Sequence, residues 1–205
     1  MVNKFLLLIL ILCLEFFACE ECNEFSLRDG DILFQDFPSP QSAAVKIATQ
    51  SEYSHCGIIF YENEIPFVWE AVQPVKITSL DKWIGRDADS HYVVKRIKDA
   101  DSRLVDSLIT LMKEYGKSHI DKDYDIYFGW SDERLYCSEF VWKIYDASLN
   151  MELGSLRSLK NYNLTHPAVQ ERLAERYGDN IPLDEPVISP QDIFDSDKLE
   201  TVYSQ

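Results

Sequence analysis

The chain has few basic residues, since 20 lysines and arginines stand against 35 aspartates and glutamates, and its formal net charge is −15. No basic stripe is available to displace counterions from a phosphate backbone, so a nucleic acid is excluded as the partner. Internal repeats and low-complexity blocks are also missing. The 205 residues are 46% hydrophobic and 13% aromatic, which is typical of a packed globular domain.

A long hydrophobic run is missing too, which excludes a membrane-spanning helix at the N-terminus. The apolar stretch from Phe5 to Leu14 ends at Glu15, well short of the roughly 20 residues that a span requires. It is typical of a secretory signal peptide, predicted over residues 1–18. Ala18 before Cys19 resembles the lipobox of bacterial lipoproteins, whose cysteine is lipidated after cleavage. We expect an exported cell-envelope protein anchored to the membrane through Cys19, with an ordinary secretory peptide as the alternative.

Cysteine is scarce, and its five positions have different contexts. Cys13 lies inside the signal peptide, while Cys19 and Cys22 form one C-x-x-C pair. A second such pair is missing, so a structural zinc site is not expected. Cys19 and Cys22 could form a disulfide if Cys19 carries no lipid. Cys56 and Cys137 could also pair in an exported protein, but their different neighbourhoods favour separate roles, with Cys56 in the core.

The order of predicted elements indicates an α+β fold, with strands concentrated before Cys137 and helices around them. We expect a tether at residues 19–26 and one domain over residues 27–205. After a turn and a short strand within residues 27–34, strands are predicted at His55–Tyr61, Pro66–Val72, Val75–Thr78 and Tyr92–Ile97. Helices are predicted at residues 42–50, Asp99–Tyr115, Ser138–Ser148 and Pro167–Tyr177.

Cys137 lies where the irregular segment 117–135 gives way to a helix. The unpaired N–H groups and the positive dipole end of a helix N-terminus favour a thiolate, which is the nucleophilic form of cysteine. The backbone N–H of Cys137 could donate to an oxyanion, and Tyr53, Ser54 and Tyr124 are the candidates for a second donor or substrate contact. Taken alone, such a cysteine could equally be a small buried core residue.

His55 and Glu70 lie on two strands joined by a predicted hairpin turn. A turn at Glu62–Asn63 would pair them directly, whereas a turn at Asn63–Glu64 would place them diagonally on the same face. Only an odd register slip or a bulge would separate them. The spacing therefore suits a carboxylate that orients an imidazole. The alternatives are a structural histidine at a strand end and a solvent-facing glutamate.

Four segments occur in an order that resembles a known family: Leu27–Phe34, Tyr53–Ile59, Val68–Ala71 and Tyr136–Trp142. They are similar to the YiiX/YebB-like branch of the NlpC-type, papain-like cysteine hydrolases. This branch is circularly permuted, so the histidine precedes the cysteine. The resemblance covers residues 27–147, and Ser189–Ile193 resembles a closing element. The segment 150–186, in part helical, matches no motif.

The resemblance implies a permuted papain-like fold, in which an antiparallel sheet or small barrel packs against helices. It implies Cys137 as the nucleophile, His55 as the base and Glu70 as the orienting residue, without a metal or another cofactor. We expect an exported hydrolase that cleaves an amide bond in a peptide such as a cell-wall peptide. The alternatives are a lipid-directed acyltransferase or thioesterase, a non-catalytic binding lipoprotein, and a zinc site on the same three residues.

Overall fold

The computed structural model describes residues 25–87 and 90–205. The predicted signal peptide, the lipidation candidate Cys19 and most of the predicted tether lie outside the described residues. Within the part that is described, no helix has both the length and the apolar character needed to cross a membrane.

A six-stranded antiparallel sheet forms the centre of the domain. Its strands are β1 (Ile32–Gln35), β2 (His55–Glu62), β3 (Ile65–Glu70), β4 (Lys76–Ser79), β5 (Val93–Ile97) and β8 (Leu199–Ser204). Their order across the sheet is β4-β3-β2-β1-β5-β8. A separate two-stranded ladder joins β6 (Arg157–Ser158) to β7 (Pro186–Val187).

Seven α-helices and one short 3₁₀ helix, Leu159–Asn161, are present in the described ranges. The α-helices are α1 (Pro40–Thr49), α2 (Leu80–Ile84), α3 (Ala100–Arg103), α4 (Asp106–Lys117), α5 (Cys137–Leu149), α6 (Pro167–Tyr177) and α7 (Pro190–Phe194). Helices α1, α6 and α7 each begin at a proline after a capping side chain: Ser39, His166 and Ser189. Proline suits the first helical position because its missing N–H would be unpaired there anyway.

The two faces of the sheet bury different sets of side chains because strand residues alternate in direction. One face, with Cys56, Ile58 and Phe60 of β2, belongs to the main core around α5. The other face, with Ile59 of β2, packs around Trp83 of α2 in a smaller core. Sheet and helices together confirm the predicted α+β class.

The hairpin between β2 and β3 has the second of the two predicted registers. Ile58 pairs with Trp69, which places Asn63 and Glu64 in the turn. Both turn residues have positive φ, 50° and 66°, as a two-residue type I′ hairpin requires. Extending this register sets Glu70 opposite Gly57, diagonal to the first residue of β2. The direct pairing of His55 with Glu70 was therefore wrong, and the diagonal arrangement is confirmed.

The helix predicted over Asp99–Tyr115 is two helices, α3 and α4. Leu104 interrupts it with φ −92° and ψ 62°, and its side chain contacts the position of Gly30. The chain thus leaves helical geometry where Leu104 turns towards the β1 region. The unmatched segment 150–186 contains one α-helix, α6, together with β6 and the 3₁₀ helix.

Candidate active site

Cys137 is the first residue of α5, one position earlier than the sequence predicted, and it is 4% exposed. Its neighbours fix the helix start from both sides. Tyr136 N–H donates to Glu139 Oε2 at 3.3 Å, and the Ser138 hydroxyl donates to the Ile188 carbonyl oxygen at 2.8 Å. The thiol therefore lies at a rigid helix N-terminus, where unpaired N–H groups and the helix dipole favour negative charge.

His55 opens β2 and is almost fully buried. Its Nε2 lies 2.7 Å from Glu70 Oε2, which leaves Nδ1 as the ring nitrogen for the hydrogen bond to Cys137. Burial disfavours the charged ring, but the hydrogen bonds to Cys137 and Glu70 outweigh it and raise the pKa of His55 to about 9. The three predicted residues are thus joined in one hydrogen-bonded chain.

Glu70 is fully buried and its carboxylate is saturated with donors. Arg86 donates to both oxygens at 2.6 Å, and the Thr78 hydroxyl donates to Oε1 at 2.5 Å. Burial alone would raise the pKa of Glu70, but hydrogen bonds from His55, Arg86 and Thr78 lower it to about 2. Glu70 is therefore an anion that holds the His55 ring in place.

Sequence reasoning missed both Thr78 and Arg86. The strand pattern could have indicated Thr78. It pairs with Val68 on the strand next to β3, and Val68 lies two residues from Glu70 on the same face. Arg86 follows α2 in a short irregular connection, and nothing in its spacing points to the site.

Cys56 was assigned to the core, and it is fully buried, yet it also contacts Cys137. Alternation along β2 directs Cys56 to the face on which α5 packs, while His55 lies at the end of the same strand. The pKa of Cys137 lies well below its usual range, chiefly because the Cys56 thiol donates to the sulfur. Burial opposes this lowering, and His55 and the Cys56 backbone N–H strengthen it. The site therefore favours a thiolate paired with an imidazolium.

The three candidates for a second oxyanion donor lie in different surroundings. Tyr124 is close to Cys137, and its hydroxyl accepts a 3.2 Å hydrogen bond from Gln41 Nε2, so its own proton is available. The Ser54 hydroxyl already donates to Asp36 Oδ1 at 2.8 Å. Tyr53 packs its ring against Phe194 instead of lining the clefts at the site. Among the three, Tyr124 has the most suitable geometry.

Two clefts meet at the site and share Gln41, Val45, Ser54 and Tyr124. The first, of about 710 Å³ including its open part, is lined by Cys137 and by mostly apolar side chains of α1, α6 and residues 187–190. The second, of about 720 Å³ on the same measure, is lined by His55 and by polar side chains such as Ser39, Ser42 and Gln73. The sulfur and the imidazole thus face spaces of different polarity.

Two relatives in Escherichia coli are similar over nearly the whole chain. The uncharacterized protein YiiX of strain K12 is 43% identical over 202 residues, covering 98% of this chain and 96% of that protein. The crystal structure of a protein named metalloprotein yiiX, from O157:H7, has a TM-score of 0.84 at 44% identity and covers 88% of this chain and 99% of that one.

The name of that relative raises the question of a metal site in this chain. In ranges 25–87 and 90–205, no group of three or more histidine, cysteine, aspartate or glutamate side chains is arranged to hold a metal ion. Cys137, His55 and Glu70, the residues of the alternative zinc site, are not such a group in this arrangement.

The family comparison agrees with the permuted order of histidine and cysteine. The sequence model of the permuted papain-like amidase enzymes, YaeF/YiiX, C92 family, matches residues 26–203. With that match and the two close relatives, this chain belongs to the YaeF/YiiX family of permuted papain-like amidases, and it is a cysteine hydrolase.

Proposed function

We propose that the protein cleaves an amide bond with the thiolate of Cys137 as nucleophile. The observation that carries this proposal is the buried hydrogen-bonded chain from Cys137 through His55 to Glu70 at the start of α5. The thiolate attacks the acyl carbon, and the oxyanion of the tetrahedral intermediate accepts hydrogen bonds from the Cys137 N–H and the Tyr124 hydroxyl.

His55 then serves first as acid and next as base. Its protonated Nδ1 donates to the leaving amine, and the neutral ring afterwards accepts a proton from the water that releases the acyl group. Glu70 keeps the ring oriented throughout, because its carboxylate accepts from Nε2 in both steps. Arg86 and Thr78 hold that carboxylate in turn.

The first candidate substrate is a peptide such as a cell-wall peptide, which an exported, membrane-anchored amidase would meet in the envelope. The apolar character of the cleft beside Cys137 favours a second candidate, an acyl lipid whose chain occupies that cleft. In this second case the same three residues would transfer the acyl group or hydrolyse it from an ester or thioester.

An activity-based thiol probe tests the proposed nucleophile in the full-length protein. We expect labelling at Cys137 in the wild type, no labelling at that position in Cys137→Ala, and strongly reduced labelling near pH 7 in His55→Ala. Cys56→Ala removes the other buried thiol of the described residues, so it controls for the position of the label: labelling should stay on Cys137, slowed only as far as loss of the Cys56 hydrogen bond raises the pKa of Cys137. Equal labelling of wild type and Cys137→Ala, localised by mass spectrometry, would refute the assignment.

The substrate is tested by comparing turnover of three panels: cell-wall peptides, N-acyl amines, and acyl esters or thioesters. Each panel is run with the wild type and with Cys137→Ala, so that background hydrolysis is subtracted. Turnover of peptides alone supports the first candidate. Turnover of long-chain acyl compounds alone supports the second candidate. If no panel is turned over, both proposed substrates are wrong.

A further inference from the structure

Arg176 places a positive charge in the mostly apolar cleft beside Cys137. It lies on α6, and its guanidinium is half-buried, 5.0 Å from the centre of the Phe128 ring. One hydrogen bond runs from Nη2 to Gln41 Oε1 at 2.8 Å. No carboxylate among residues 25–87 and 90–205 lies within ion-pair distance, and burial lowers the pKa of this guanidinium.

Arg172, one turn earlier on the same helix, differs from Arg176 in having an ion-pair partner. It lines the same cleft but forms an ion pair with Glu175. Glu175 also acts electrostatically on Arg176, yet its carboxylate is bound to Arg172. Arg176 is therefore the cation of this cleft that lacks a bound counter-charge.

An unpaired, partly desolvated cation is costly, and proteins normally pair such groups. A guanidinium has five N–H donors in a planar fork that matches a carboxylate or a phosphate. Gln41 uses one of the donors of Arg176, and the ring of Phe128 covers one face of the group. The remaining donors fit an anion that arrives with a ligand.

Arg176 is linked by hydrogen bonds through Gln41 to Tyr124, beside the reacting sulfur. Gln41 accepts from Arg176 through Oε1 and donates through Nε2 to the Tyr124 hydroxyl, which lies close to Cys137. Gln41 and Tyr124 line both clefts, whereas Arg176 lines only the apolar one. An anion on Arg176 would therefore lie on the side of the site where Cys137 lines the cleft.

We propose that Arg176 binds an anionic group, a carboxylate or a phosphate, on the part of the substrate that occupies the apolar cleft. The ligand class is an anionic amphiphile: apolar chain against α1 and α6, and negative group on the guanidinium. Its assignment to the acyl side of the substrate rests on the proposed function. The binding itself requires only the cleft and Arg176.

Binding can be measured without turnover in the Cys137→Ala protein by isothermal titration calorimetry. The probes are dodecanoate, dodecyl phosphate and dodecanol, all below their aggregation concentrations. We expect either anionic probe, or both, to bind at least tenfold more tightly than dodecanol, with the difference shrinking at high salt. A carboxylate preference and a phosphate preference are separated by the first two probes.

Variants then assign the effect to one side chain. Arg176→Gln should reduce binding of the anionic probe to the level of dodecanol, and Arg176→Lys should keep part of the preference. Arg172→Gln is the matched control, since its charge is already paired, and it should keep the preference. The proposal is wrong if no probe binds, if dodecanol binds as well as the anions, or if the preference survives Arg176→Gln. Thiol labelling of Cys137 in the wild type is independent of these results, so the two proposals fail separately.

Discussion

Replacing Cys56 by alanine should raise the pKa of Cys137, because the Cys56 thiol is the main cause of its lowering. The change removes one S–H donor and leaves the Cys56 backbone N–H and His55 in place. Cys137 should therefore keep part of its low pKa. Cys56→Ser is the matched variant, since a hydroxyl of similar size can donate to the thiolate.

The size of the effect follows from the strength of that hydrogen bond. A hydrogen bond to a charged group contributes about 1.5–3 kcal/mol, and a thiol is a weak donor, so the low end applies. About 1.4 kcal/mol corresponds to one pKa unit, which means a tenfold change in the thiolate fraction well below the pKa. We therefore expect the alkylation rate of Cys137 to fall about tenfold at acidic pH in Cys56→Ala, and to change less in Cys56→Ser.

The assay is the rate of iodoacetamide alkylation between pH 4 and pH 10, with the modified peptide identified by mass spectrometry. Because only the thiolate reacts, the midpoint of the rate profile reports the pKa of Cys137. Unfolding in urea checks that the variants remain folded at each pH. An unchanged midpoint in folded Cys56→Ala would refute the hydrogen bond as a cause of the low pKa.

Three further predictions concern Glu70, its partner Arg86 and the β2 residue opposite Glu70. Arg86→Gln should slow alkylation of Cys137 at acidic pH, below the pKa of Cys137, by roughly fivefold, since about 1 kcal/mol of support for His55 is lost, and Arg86→Lys should recover part of it. Folding lowers the pKa of Glu70 from 4.5 to about 2, so the ionised carboxylate stabilises the fold above pH 4.5. This contribution to stability is lost as the pH falls through 2. Unfolding free energies should thus drop by about 3 kcal/mol more in wild type than in Glu70→Gln over this range, and parallel curves would contradict it. Gly57→Ala should lower the unfolding free energy by about 1–3 kcal/mol, because the added Cβ would lie 2.5 Å from Val68 Cγ1; an unchanged urea midpoint would count against this packing.

Local patterns were enough to predict that His55 and Glu70 share a sheet face. Side chains on a strand alternate between the two faces of the sheet. A turn at Glu62–Asn63 and a turn at Asn63–Glu64 therefore both place His55 and Glu70 on one face, although the two turns give different registers. Cys137 was predictable for a similar reason, since a helix start follows from a short run of neighbouring residues.

The supporting residues depend on contacts that no local pattern contains. Arg86 reaches Glu70 across 16 positions from an irregular connection, and Arg176 reaches Gln41 across 135 positions. Cys56 was placed on the correct face, but its contact with Cys137 required knowing that α5 packs there. Such distant pairings are set by tertiary packing, which the local patterns of a single sequence do not specify.

The hairpin turn at Asn63 and Glu64 has a consequence for how this protein tolerates insertions and deletions. The turn is exposed and lies about 25 Å along β2 from His55, where length changes are usually harmless. A residue added to the turn can be accommodated as a three-residue loop, but a residue lost from it must come from a strand, which would shift the register by one and send Glu70 to the opposite face from His55. The site therefore requires a minimum length of this loop more than any particular residue in it, and a length scan should find the turn tolerant of one added residue and intolerant of one removed.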